Sequence, residues 1–166
     1  MATRLTLSFT LNGAVRSFET DPNERLLDLL RREGLKGAKA GCREGVCGAC
    51  TVLLDSRAVY SCLLPVCLAD GHRVTTVEGI GDQADPHPIQ KALVDAGAVQ
   101  CGFCIPGIVV SAKALLDESA RPDDEEICEK MDGNLCRCTG YEKTFAAIKA
   151  VLAARQSLDD EGASHG

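Results

Sequence analysis

Ten cysteines fall within 166 residues, and their spacing constrains the chain more than any other feature. Cys42, Cys47 and Cys50 follow the pattern Cys-x4-Cys-x2-Cys, and Cys62 comes after eleven further residues. This is the spacing of a plant-type 2Fe–2S site, in which four thiolates hold two irons. Three ligands on one loop must curl around a small inorganic core. Gly41, Gly45 and Gly48 permit positive φ angles and close approach of backbone N–H groups. Such donors stabilise an anionic cluster and help set its potential. A zinc ribbon would pair two Cys-x2-Cys knuckles, and this stretch holds only one.

The segments around this loop read as a small mixed sheet with one helix. Residues 4–11 alternate in polarity, Asn12-Gly13 is a hairpin turn, and Val15–Glu19 is the return strand. Asp21-Pro22-Asn23-Glu24 predicts a helix start with Asp21 as N-cap. Leu26, Leu27, Leu29 and Leu30 form its buried face, and Gly34 ends it. Thr51–Leu54 and Ala58–Cys62 predict a second hairpin, and Val74–Glu78 one more strand. Residues 80–88, rich in Gly, Pro and Asp, read as a linker between residues 1–79 and a helical unit over 89–156. Four helices are expected there: Ile89–Ala96, Pro106–Glu118, one opened by Asp123 and Glu126, and Tyr141–Ala154. Residues 157–166 read as a flexible tail.

The chain carries 18 Lys and Arg against 24 Asp and Glu, a net charge of −6, and only 4 % aromatic residues. An acidic chain with few stacking side chains does not suit nucleic acid. No apolar run reaches membrane-spanning length, and the N-terminal residues lack a secretory pattern. A cytoplasmic location is therefore expected, where clustered cysteines favour metal or redox chemistry over disulfides.

The helical half carries a second set: Cys101 and Cys104 in QCGFCIPG, and Cys136 and Cys138 in GNLCRCTGY. Both pairs lie at helix entries or junctions, where free N–H groups favour an anionic centre. Cys136 and Cys138 can face one centre only from non-helical backbone, which Gly133 and Gly140 permit. Taken alone, four thiolates suit zinc as well as iron–sulfur, and iron–sulfur is preferred.

The order GCREGVCGACT, QCGFCIPG, GNLCRCTGY resembles the small iron–sulfur subunit of the molybdenum hydroxylases, the xanthine oxidase family, over residues 4–154. The resemblance implies an α+β chain: a plant-type ferredoxin-like (β-grasp) domain, then an all-α four-helix domain, each with one 2Fe–2S cluster. It implies electron relay from a molybdopterin cofactor on a large subunit to FAD on a medium subunit, within a dimer of heterotrimers. The complex would oxidatively hydroxylate an N-heterocycle, purine, aldehyde or similar small molecule. Carried over, Cys101, Cys104, Cys136 and Cys138 hold the molybdenum-proximal cluster, and Cys42, Cys47, Cys50 and Cys62 the flavin-proximal one. Gln100 and Cys138 would lie nearest the pterin, and no residue would contact substrate. Two departures stand out: Ile105 where Thr is usual, and the turn Asp55-Ser56 where Asp-Gly is usual.

Cys67 and Cys128 lie outside both sets and read as buried packing thiols. His72, His87 and His165 read as surface or linker histidines, and Arg31-Arg32 as a solvated helix face. A free-standing ferredoxin-type carrier is the alternative function, and a zinc-stabilised interaction module a third. The second cysteine-bearing domain argues against the carrier, and the first motif against the zinc module.

Overall fold

A computed structural model describes the backbone of residues 4–163 and the side chains of residues 4–157. Hydrophobic alternation sets up the first sheet. In β1 (Leu5–Leu11), Leu7, Phe9 and Leu11 are buried, and in β2 (Ala14–Thr20), Phe18 and Thr20 face the same way. The Asn12-Gly13 turn pairs them antiparallel, with Leu7 opposite Phe18. The Phe9 and Phe18 rings pack with centroids 4.9 Å apart. β3 (Thr51–Leu54) and β4 (Arg57–Tyr60) form the second hairpin, and β5 (Arg73–Thr75) joins the two. The sheet order is β2-β1-β5-β3-β4, with only β1 and β5 parallel.

Helix α1 (Leu26–Arg32) buries all four of its leucines completely against this sheet. It starts later than the sequence suggested. Arg25, not Asp21, occupies the N-cap and makes no side-chain cap bond. The Asp21 carboxylate instead accepts from the Asn23 N–H at 2.9 Å, forming a local turn ahead of the helix. The Glu24 carboxylate is held by the Thr20 hydroxyl and by Arg32. β5 is also shorter than expected: the chain leaves the sheet after Thr75 and makes a 3-10 turn over Val77–Gly79.

The helical half comprises α2 (Pro88–Asp95), α3 (Ile105–Glu118), α4 (Asp124–Asp132) and α5 (Glu142–Ala163). Asp123 and Glu126 close the expected capping box on α4. His87 proves to be more than a linker residue. Its Nδ1 accepts from the Ile89 N–H at 3.3 Å while its backbone N–H donates to the Gln90 side-chain oxygen at 2.8 Å, so it caps α2. α5 continues to Ala163, into the stretch expected as a flexible tail, and His165 lies outside the described residues.

Ile89, Leu93, Ile108, Ile127, Met131 and Ile148 fill the helical core. α3 also reaches the sheet: Val110 and Ala114 are completely buried against Leu53. The two halves therefore share one packed seam, and both cysteine sets lie beside it. Among the described residues, no helix is long and apolar enough to cross a membrane.

Candidate metal centres

The first loop is built outward from α1. Arg31, read from sequence as a solvated residue, donates to the carbonyls of Ala38 and Lys36 at 2.9 and 3.5 Å. Arg43 reaches back to Asp28 with a two-pronged contact at 2.6 and 3.2 Å, while Arg25 holds the Arg43 carbonyl. Such forked guanidinium–carboxylate pairs fix geometry as well as charge. Lys39 N–H donates to the Ala49 carbonyl and closes the loop's neck at 2.8 Å.

The three thiols of this loop and Cys62, which follows β4, fall into two pairs. Cys42 and Cys47 are partly exposed and adjacent, with the Cys42 N–H 3.4 Å from the Cys47 sulfur. Cys50 and Cys62 are buried side by side, and the completely buried Ser61 hydroxyl ties the Cys50 carbonyl to β4 at 2.7 Å. Backbone N–H groups of Glu44 and Val46 point at the Cys42 sulfur from 3.3 and 3.5 Å and lower its thiol pKa to about 6. Burial pushes the Cys50 thiol up to about 12. A bound cation would override both shifts, since a coordinating thiol is deprotonated outright.

The second set shows the same division. Cys101 and Cys138 are exposed with sulfurs 3.6 Å apart, while buried Cys104, at the N-cap of α3, bonds with Cys136. Burial pushes the Cys104 thiol up to about 12. Burial acts upward on Cys136 too, but the Thr139 hydroxyl and N–H, at 3.1 and 3.4 Å, outweigh it and bring the thiol to about 7. Gln100 is exposed, and its amide donates to the Cys138 carbonyl at 3.2 Å, joining the QCGFC segment to the CRC segment.

This donor set fits a binuclear cluster. A single tetrahedral ion needs its ligands to converge on one point. Two pairs of thiols, each pair for one iron, are what a 2Fe–2S core takes.

Several contributing residues have no role assigned from sequence, although Tyr141 stands inside the third motif. Tyr141, at the end of the third motif, accepts from the Cys136 N–H at 2.7 Å and donates to the Asn134 carbonyl at 3.1 Å. Tyr60 donates to the Gly133 carbonyl at 3.1 Å from across the seam. Phe103 lies between Cys101 and Cys104 in the chain and leans towards Gly41 of the first loop. Cys67 packs partly buried against the sheet core, but Cys128 is exposed on α4 and is not the packing thiol expected.

Comparison with known proteins agrees with this division. Residues 9–75 match the 2Fe-2S iron-sulfur cluster binding domain, and residues 76–149 the [2Fe-2S] binding domain. The chain is 49 % identical over 147 residues to the nicotinate dehydrogenase small FeS subunit of Eubacterium barkeri, covering 88 % of this chain and 94 % of that one. It is 44 % identical over 146 residues to the nicotine 6-hydroxylase small subunit of Paenarthrobacter nicotinovorans, covering 87 % and 88 %. In the crystal structure of quinoline 2-oxidoreductase from Pseudomonas putida 86, a chain 41 % identical superposes with a TM-score of 0.86, covering 93 % of this chain and 97 % of that one. The protein belongs to the small 2Fe–2S subunits of the molybdenum hydroxylases. It is an electron-transfer subunit with two 2Fe–2S domains, which sets aside both the free-standing carrier and the zinc module.

Proposed function

We propose that the two clusters act in series, with the exposed end of the helical half receiving electrons and the ferredoxin-like half delivering them. On this reading Cys101, Cys104, Cys136 and Cys138 hold the cluster nearest molybdopterin on a large subunit, and Cys42, Cys47, Cys50 and Cys62 the cluster nearest FAD on a medium subunit. This chain and the large and medium subunits form a heterotrimer that pairs as a dimer in the cytoplasm. The oxidised substrate is an N-heterocycle, purine, aldehyde or similar small molecule. The chain divides into residues 1–79 and 89–156, joined by 80–88.

The observation that carries the assignment is the exposed group Gln100, Cys101 and Cys138. Gln100 holds the Cys138 carbonyl, so a ligand residue and a free polar surface meet where a partner's cofactor could dock. Each 2Fe–2S cluster supplies one-electron uptake and release. The chain's own residues tune that exchange. The Glu44 and Val46 N–H groups stabilise negative charge on the Cys42 sulfur, and Thr139 does so on Cys136.

Cys50→Ser and Cys104→Ser test the assignment in the purified full-length chain. Each should abolish one of the two EPR signals expected after reduction and leave the other. A variant that removed both signals while the chain stayed folded, or neither, would refute the two-set grouping. Gln100→Ala should alter electron entry from the molybdenum subunit in the complex without disturbing either signal.

A further inference from the structure

The tripeptide Gly133-Asn134-Leu135 touches the ferredoxin-like half at every residue. Tyr60 donates to the Gly133 carbonyl, Leu135 N–H donates to the Cys47 carbonyl at 3.0 Å, and the Asn134 amide donates to the Gly48 carbonyl at 3.0 Å. Asn134 is only 2 % exposed. Its backbone is pinned on both sides, by its N–H to the Met131 carbonyl and by Tyr141 on its own carbonyl. The side chain is therefore aimed by the end of α4 and has little freedom of its own.

The space it occupies has been cleared. Gly48 has φ +66, and a Cβ there would meet the Gly133 carbonyl at 2.1 Å and the Asn134 amide at 2.5 Å. A Cβ on Gly107, in α3, would meet the Gly48 carbonyl at 2.3 Å and the same amide at 2.9 Å. The Gly48 carbonyl also accepts from the Thr51 N–H and hydroxyl, at 3.1 and 2.6 Å. A buried amide with a close-fitting acceptor and no room to move is a positioning device.

We propose that Asn134 is the positioning residue that sets the separation and register of the two clusters. Gly48 directly follows the ligand Cys47, and Leu135 directly precedes the ligand Cys136. By holding the Gly48 carbonyl, Asn134 keeps the Cys47 carbonyl on the Leu135 N–H. One hydrogen bond then connects a ligand residue of one cluster to the neighbour of a ligand of the other. One electron crosses at a time, oxidising the helical-domain cluster and reducing the ferredoxin-like one, with no bond made or broken. The inference rests on the ligand sets of the proposed function.

The test uses the full-length chain with both clusters loaded and fully reduced. Iron content and the two separate EPR signals report the clusters, and the magnetic splitting between them reports their separation. Asn134→Asp, which replaces the donor with an oxygen facing the Gly48 carbonyl, should keep four irons and both signals but lose the wild-type splitting. Asn134→Ala, which only deletes the donor, should do the same to a lesser degree. Tyr60→Phe, which removes a different contact across the seam, should retain the splitting. Wild-type splitting in an iron-complete Asn134→Asp chain overturns the proposal, as does equal loss in Tyr60→Phe. Iron loss in both Asn134 variants would place Asn134 in cluster assembly and also overturn it. A wild-type chain without two binuclear signals would refute the ligand sets themselves, and the proposal with them.

Discussion

The backbone N–H of Leu135 donates to the carbonyl of Cys47 over 3.0 Å, although 88 residues separate them in the chain. Neither group belongs to a helix or a strand. A backbone pair outside regular structure needs neighbours to hold it. Here these are Asn134 on one side and the Tyr141 hydroxyl, bonded to the Cys136 N–H, on the other.

The two clusters should differ in lability. Both sets have a buried part, but the open pair of the first, Cys42 and Cys47, is only partly exposed, whereas Cys101 and Cys138 are exposed. Solvent access governs attack on cluster sulfurs and irons. When the isolated subunit is treated with a chelator or air, the helical-domain EPR signal should decay first, in step with release of the first half of the iron. Simultaneous loss of both signals would contradict the exposure difference.

The Asp55-Ser56 turn has a correctable strain. Both residues have positive φ, 47° and 73°, as a two-residue hairpin turn of this hand requires. Asp55 has compensation, because its carboxylate accepts from the Arg73 N–H at 2.9 Å and contacts His72 at 2.5 Å. Those contacts also hold the Asp55 carboxyl below its usual range, the Arg73 N–H first. No such side-chain bond is seen for Ser56. Ser56→Gly should raise stability by about 1 kcal/mol, the scale of a left-handed residue's cost, and should raise the melting midpoint of the cluster-loaded chain. Asp55→Gly should lower it.

Thr144 on α5 is completely buried and its hydroxyl finds no partner. Burying an unpaired hydroxyl costs about 1–3 kcal/mol. Thr144→Val keeps the shape and removes the group, so it should stabilise by about 1 kcal/mol in denaturant melts, with unchanged EPR signals. Destabilisation would mean that the hydroxyl is bonded in solution.

His87 should make stability pH-dependent. Burial, with some help from Lys113, lowers its pKa below the ordinary 6.5. Its Nδ1 can accept from the Ile89 N–H only while unprotonated. A depressed folded pKa means that the unfolded chain takes up the proton first. The contribution of His87 is therefore whole above pH 6.5 and shrinks as pH falls through the folded value. His87→Asn retains a capping oxygen and cannot titrate. The difference in melting midpoint between wild type and variant should narrow or reverse between neutral and mildly acidic pH. A constant difference would dismiss the histidine as the titrating group.

The grouping of eight cysteines into two sets was legible because they fall in short motifs, and the structure brings the thiols of each set together in pairs. The strands and helices around them followed from alternation and helical periodicity, and the Asp123 cap from a local pairing. The start of α1 was misplaced because Asp21 satisfies a turn instead of a helix, and both use the same side-chain bond. Cys128 was misjudged although the clue was present: Ile127 and Met131 sit four apart and define the buried stripe of α4, and Cys128 lies about 60–100° around the helix from them. The contacts of Asn134, Tyr60 and Tyr141 had no local signature. Asn134 meets Gly48 across 86 residues, and only the packed seam brings them together.

The glycines at that seam limit how the chain can be recombined. A hybrid joining residues 4–75 to a foreign helical half would tolerate many sequence differences along the exposed helix faces. It would not tolerate a side chain at the position of Gly107, where even a methyl group falls 2.3 Å from the Gly48 carbonyl. Two domains that look like independent building blocks are in this respect a matched lock, and exchange between relatives should succeed only as a pair or with both glycines retained.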